Sequence, residues 1–157
     1  MDVLLKRAEE QDAPLLWSMQ KRAFAPLLEK YGDVSTNPAS EPLIKVIGRL
    51  RQSYADYYII YIDGQAVGGV RVVRRRERKC NISPLFVVPE FQRRGIATAV
   101  LTILEEMYPE TIWELNTILQ ETGNCRLYEK HGYRRTGEYE QINERMTLVY
   151  YRKTIRR

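Results

Sequence analysis

The hydrophobic period of this chain changes abruptly near its middle. Cys80 to Val88 reads as a strand, and from Gln92 onward Ile96, Val100, Ile103, Leu104 and Met107 recur at helical spacing until Pro109 stops the run. Between the two lies VVPEFQRRGIAT, residues 87–98, where a strand ends at a proline, crosses a short basic loop and enters a helix at Gly95. Ile112 to Asn116 reads as the strand that follows, so residues 80–116 form a βαβ unit. Pro84 cannot donate to a ladder and predicts a bulge or an interrupted edge in the first of these strands.

The flanking segments complete one mixed sheet. Val3 to Leu5 predicts a strand, and Leu15 to Leu28 an amphipathic helix with Asp12 as N-cap and Gly32 as terminator. Residues 33–42 are loop, and Leu43 to Leu50 a second short helix. Tyr57 to Ile62 and Gln65 to Arg74 flank Asp63-Gly64, a strong two-residue hairpin signal. Asn124 to Lys130 predicts a helix ended by Gly132, with Tyr133 and Met146 to Tyr151 as final strands. The order β-α-α-β-β-β-α-β-α-β-β, without repeats or linkers, predicts a single α/β (α+β) domain over residues 1–157 whose mixed central sheet is flanked by helices. A chain of 157 residues suits one domain, burying roughly 68–70% of its unfolded surface.

Residue counts narrow the chemistry. Two cysteines without CxxC spacing and a single histidine, His131, disfavour a disulfide framework, a His/Cys zinc site and a Ser/His/Asp triad, so no metal is expected. The opening MDVLLKRAEE lacks a secretory h-region, and no apolar run approaches the ~20 residues of a membrane span; the expectation is a cytoplasmic protein that does not cross a membrane. Net charge is +5, with Arg71, Arg74, Arg75, Arg76, Arg78 and Lys79 crowding one decade and Arg152, Lys153, Arg156 and Arg157 the end. A solvated hairpin tip and a polar tail are the plainer reading of both clusters, with nucleic-acid binding through residues 71–79 as the alternative.

Residues 87–98 build an anion site. The first turn of a helix carries N–H groups without intrahelical acceptors, the helix dipole adds about half a positive charge, and Gly95 removes the side chain that would block close approach. Arg93 and Arg94 add charge, and Ala97 keeps the next position small. Phosphate is the natural ligand; an ordinary helix start with a solvated arginine pair is the alternative.

QRRGIA, residues 92–97, matches the QxxGxG/A phosphate loop of the GNAT superfamily of acetyl-CoA-dependent N-acetyltransferases, and Leu127-Tyr128-Glu129-Lys130-His131-Gly132-Tyr133 resembles the LYEKxGF segment of the same superfamily. The overall resemblance spans roughly residues 2–153, while the specific motifs cover only 85–98 and 124–133. It implies acetyl-CoA as co-substrate, its pyrophosphate on the amides of Arg93, Arg94, Gly95, Ile96, Ala97 and Thr98, with Gln92 shaping the loop. It further implies that the end of the preceding strand, Phe86, Val87 and Val88, splays from the strand at 112–116 and offers free backbone groups to the pantetheine arm and thioester carbonyl. Tyr128 falls on the tyrosine that in many relatives protonates the departing thiolate, a role a phenol of pKa about 10 can fill at pH 7; a core aromatic with its hydroxyl at the rim is the alternative. Many relatives place an asparagine seven residues before that tyrosine. Here Glu121 stands there, and Asn124 is the candidate to take over the contact as an N-cap.

No general base is evident. The strand Cys80 to Val88 contains no Asp or Glu, Glu114, Glu138 and Glu140 read as solvated carboxylates, and His131 as a helix-end cap. The acceptor, a small-molecule or protein amine, is expected to meet the early helices and the loop 33–42. Tyr54, Tyr57, Tyr58 and Tyr61 read as packing residues before a cation–π wall. An acyl-CoA-binding module without turnover is a second reading, and a homodimer through an edge strand is left open.

Overall fold

The computed structural model describes residues 2–155; Arg156 and Arg157 of the basic end lie outside the described residues. Seven strands form one sheet: β1 (Val3–Arg7), β2 (Ala55–Ile62), β3 (Gln65–Arg74), β4 (Lys79–Val87), β5 (Ile112–Ile118), β6 (Arg134–Asn143) and β7 (Met146–Thr154). Four α-helices accompany them: α1 (Ala13–Tyr31), α2 (Leu43–Leu50), α3 (Ile96–Met107) and α4 (Thr122–Lys130). The strand order is β1-β2-β3-β4-β5-β7-β6, with every neighbouring pair antiparallel except β4–β5. The mixed sheet and the order of elements agree with the sequence reading.

Local chemistry explains most boundaries. Gly32 closes α1 at φ 67, donating its N–H to Leu28 O. Asp63 and Gly64, at φ 48 and 83, make the hairpin between β2 and β3, both in the left-handed region this tight turn demands. Asp12 stands at the N-cap of α1 as expected, but its side chain does not cap the helix. A 3₁₀ turn precedes α1, and the Asp12 carboxylate accepts instead from the Glu9 N–H at 2.8 Å. β6 is much longer than the Tyr133 position that stood for it; it is an exposed edge strand whose pairing shifts register between Arg135 and Tyr139, around Gly137 at φ 96.

Six consecutive residues of β2, Ala55 to Ile60, are buried, so helices cover both faces of the sheet there. Trp113, Leu16, Val100, Leu104 and Tyr151 are among the side chains sealed in the core. β3 contributes a close approach rather than bulk. A Cβ on Gly68 would lie 2.0 Å from Phe86 O, and one on Gly69 would meet the Phe86 ring at 2.8 Å and Leu16 at 2.9 Å. Glycines at both positions therefore let β4 and α1 close onto β3.

Candidate active site

The parallel seam is short. β4 and β5 pair only at Lys79–Ile112, Cys80–Trp113 and Asn81–Glu114, after which the strands part. One cause lies in β4. Between the pairs Val72–Ile82 and Val70–Leu85 it carries one extra residue, a bulge at Ser83-Pro84 as the proline predicted. The parted strands line a cleft of about 290 Å³ with Ile82 to Leu85 on one wall and Leu115 to Ile118 on the other. Phe24 and Leu27 of α1, the loop after α1, and Met146 and Leu148 of β7 close it further.

Tyr128 and Asn124 reach this cleft from α4. The Tyr128 ring is wedged against two buried tyrosines, 5.9 Å from Tyr133 and 6.2 Å from Tyr151 between centroids. Burial pushes its phenol up to about 12, so the hydroxyl keeps its proton at neutral pH. Asn124 is not an N-cap. The helix starts earlier, at Thr122 with Glu121 as N-cap, which places Asn124 on its first turn with an exposed side chain. Glu121 itself turns away to α1, accepting from Lys30 Nζ at 2.7 Å and from the Tyr31 hydroxyl.

At the end of β4 the expectation of three open backbone residues is corrected. Val88 N–H donates to Val67 O at 2.8 Å, and the alternation of an antiparallel ladder then turns the groups of Phe86 toward β3 as well. Only Val87 faces the open side. Its carbonyl accepts from Gln92 Nε2 at 2.8 Å, which ties the loop back to the strand. Beyond it, Arg93 and Gly95 adopt φ 62 and 78, a left-handed alternation that folds successive N–H groups toward one concavity. α3 begins without a side-chain cap, and its first intrahelical acceptor, Gly95 O, is taken by Ala99. The N–H groups of Ile96, Ala97 and Thr98 are therefore left without helical partners. A Cβ on Gly95 would meet no heavy atom within 4 Å. Arg93 and Arg94 are exposed beside it, Arg94 lying 4.9 Å over the Phe91 ring.

The carboxylates considered as bases do not line the cleft. Glu114 pairs with Arg152 at 2.7 Å, and Glu138 and Glu140 are exposed on β6. His131 caps α4 and hydrogen-bonds through Nε2 to Glu105 at 2.7 Å, joining α4 to α3. The loop after α1 supplies what the sequence reading missed: Asp33, Thr36 and Asn37 line the cleft. Burial opposes charge on Asp33, yet donors from Thr36 and Ser35 outweigh it and hold the carboxyl below its ordinary range. No local motif marks Asp33, because its role depends on the loop's path across the sheet.

The other clusters are structural. Tyr57 and Tyr58 are buried, Tyr58 hydrogen-bonding Tyr108 at 2.6 Å, and none of the four tyrosines lines the cleft. In the basic decade Arg74 pairs with Asp56 at 3.1 Å and Arg78 with Glu110 at 2.8 Å, while Arg71 donates to Ser83 O and Gln52. Those acid pairs neutralise part of the charge a nucleic-acid surface would use. Among the described residues no group of three His, Cys, Asp or Glu could hold a metal ion, and no helix is long and apolar enough to cross a membrane.

The sequence model of the acetyltransferase (GNAT) family matches residues 16–133, three quarters of the chain. The chain belongs to this family. No curated protein sequence matches it significantly. Solved GNAT structures share its fold at low identity. The ribosomal-protein-S18-alanine N-acetyltransferase of Escherichia coli superposes with a TM-score of 0.78 at 14% identity, covering 98% of this chain and 94% of its own. The PaiA N-acetyltransferase of Thermoplasma acidophilum, solved with coenzyme A, gives 0.72 at 13% identity over 96% and 98%. An aminoglycoside acetyltransferase, also solved with coenzyme A, gives 0.72 at 20% identity over 98% and 95%.

Proposed function

We propose that this GNAT acetyltransferase moves an acetyl group from acetyl-CoA to a primary amine by direct attack, with Tyr128 giving its proton to the departing thiolate. The observation that carries the reading is the placement, at one end of β4, of an uncapped helix N-terminus and of a cleft that holds a protonated phenol. Coenzyme A in the structures of two neighbours supports it.

The residues present fit the cofactor. Open space over Gly95, the N–H groups of Ile96, Ala97 and Thr98, and the charges of Arg93 and Arg94 suit a pyrophosphate. Acetyl-CoA, when bound, supplies an acyl group activated as a thioester. Gln92 holds the Val87 carbonyl, which leaves the Val87 N–H turned to the open side as a donor for the acyl oxygen. One such donor is worth roughly 2.7–4 kcal/mol in the transition state when well placed. Asn124 offers its amide from the cleft wall to the pantetheine arm.

Tyr128 serves as acid, not base. A phenol held near 12 is protonated at pH 7 and can give its proton to the thiolate as the C–S bond breaks. Removing the proton from an alkyl amine of pKa about 10.4 costs roughly 4–5 kcal/mol at pH 7. Release of free CoA thiol, followed with and without a primary amine, tests the reading. Amine-dependent release, reduced in Tyr128→Phe by about 10²–10⁴-fold with acetyl-CoA affinity kept, is expected. Thiol release indifferent to amine overturns the transfer, and unchanged turnover in Tyr128→Phe overturns the proton donor.

A further inference from the structure

The acceptor side of the cleft carries an electrostatic signature. Asp33 is the one formally charged side chain among the described residues lining it, since Tyr128 keeps its proton. Around it the walls mix apolar side chains, such as Phe24, Leu27 and Ile118, with the neutral polar Asn116, Thr117 and Asn124, and carry no second charge among the described residues. Asp33 is 3% exposed and follows directly on Gly32, the residue that ends α1. Oδ1 accepts from Ser35 Oγ at 3.0 Å and from Thr36 N–H at 3.1 Å, and Oδ2 accepts from the Thr36 hydroxyl. A carboxylate offers about four acceptor positions, so these three bonds leave capacity at Oδ2. The carboxylate is thus oriented, ionised and able to take one more donor.

A cation flanks it. Arg145, from the turn between β6 and β7, donates to Lys30 O at 3.1 Å and Tyr31 O at 3.0 Å. Its Nη2 lies 2.8 Å from where a Cβ on Gly32 would stand. One ammonium group would find one carboxylate in the cleft. A second would find no carboxylate among the described residues lining the cleft, in a chain already at +5, and a charge moved from water to a site without a counter-charge is costly.

Resting on the acetyl-transfer reading above, we infer that Asp33 is the specificity-determining residue of the acceptor site and that the acceptor is a singly charged primary amine, not a polycation. Asp33 binds the ammonium form and fixes the nitrogen near the parted strands, and the ammonium releases one proton to water before its lone pair attacks. It acts on binding, so its loss falls on KM more than on kcat.

The test uses the full chain with 2-phenylethylamine and spermidine as acceptors. The wild-type protein is expected to favour 2-phenylethylamine in kcat/KM by at least about tenfold, the ratio that 1.4 kcal/mol corresponds to. D33N, which keeps an oxygen for the Thr36 N–H, is expected to raise KM for 2-phenylethylamine about tenfold, leave kcat within about twofold and narrow the discrimination. D33E should restore part of it. The thermal shift given by acetyl-CoA should be the same in D33N as in wild type. Preference of the wild-type protein for spermidine, or an unchanged KM in a folded D33N, overturns the inference while leaving acetyl transfer standing, and transfer to neither amine overturns the inference as well. The wild-type ranking decides even if D33N does not fold. Absence of any acetyl-CoA shift in the wild-type protein instead overturns the underlying reading, and this inference with it.

Discussion

Gly95 offers a perturbation in which stability and cofactor binding separate. Its φ of 78 is in the left-handed region, which costs a residue with a side chain roughly 1–2 kcal/mol, while a Cβ there would touch nothing within 4 Å. Gly95→Ala and Gly95→Glu should therefore both fold, with the alanine protein melting roughly 2–8 °C lower at 2–4 °C per kcal/mol for a chain of this size. The glutamate also gains about 0.3–1 kcal/mol from a carboxylate at a helix N-terminus, so Gly95→Glu should be at least as stable as Gly95→Ala. Binding runs the other way. Acetyl-CoA at about 100 times its Kd adds roughly 2.7 kcal/mol to the wild-type protein, a rise of about 5–11 °C. Gly95→Ala should keep a reduced rise, and Gly95→Glu none, because its carboxylate occupies the donors of Ile96 to Thr98 with charge of the wrong sign. Differential scanning fluorimetry reads all three proteins. A Gly95→Glu protein that keeps the full rise would refute the placement of the pyrophosphate.

Other expectations follow from the same structure. Gly68→Ala forces a Cβ to 2.0 Å from Phe86 O, so the β3–β4 ladder must open; a loss of about 3 kcal/mol in urea unfolding is expected, and a loss under 1 would show the approach to be looser. Gly48→Ala, inside α2 with open space around it, should gain about 0.5–1 kcal/mol in the same assay; a loss would contradict it. With the Tyr128 phenol held near 12, kcat should not fall between pH 7 and 10, whereas an alkaline limb absent from Tyr128→Phe would place its pKa lower. Asp33 is depressed in the folded protein, so its contribution to stability is present above the unfolded carboxylate range and disappears as pH falls through the folded value. Asp33→Asn should accordingly be less stable than wild type at pH 7, the difference closing in acid; a difference constant with pH would assign it to packing.

Where local chemistry alone decides structure, the sequence was readable. The period change at Gln92, the Asp63-Gly64 turn, the Gly32 stop and the Pro84 bulge each act over a few residues, and each stands where expected. β6 was not legible beyond Tyr133, the residue before it, because an edge strand such as RRTGEYEQIN has one solvated side and needs no apolar alternation. The start of α4 slipped to Thr122 because Glu121 is recruited by Lys30 and Tyr31, partners some ninety residues earlier. In the site, the glycine turn into α3 was legible from residue type and spacing, whereas Tyr128 was pointed to by the resemblance of residues 127–133 to the GNAT segment. Which backbone groups of Phe86, Val87 and Val88 are free depends on ladder phase, set by the Val67–Val88 bond across the sheet. Asp33 depends on where a loop lands.

The most direct test of the account is a thermal-shift titration of the wild-type protein with acetyl-CoA, desulfo-CoA and ATP. The anion cradle at α3 together with the cleft between β4 and β5 predicts that acetyl-CoA and desulfo-CoA both stabilise the protein by several degrees and that ATP does so much less. No shift with either CoA compound, or an equal shift with ATP, would contradict it.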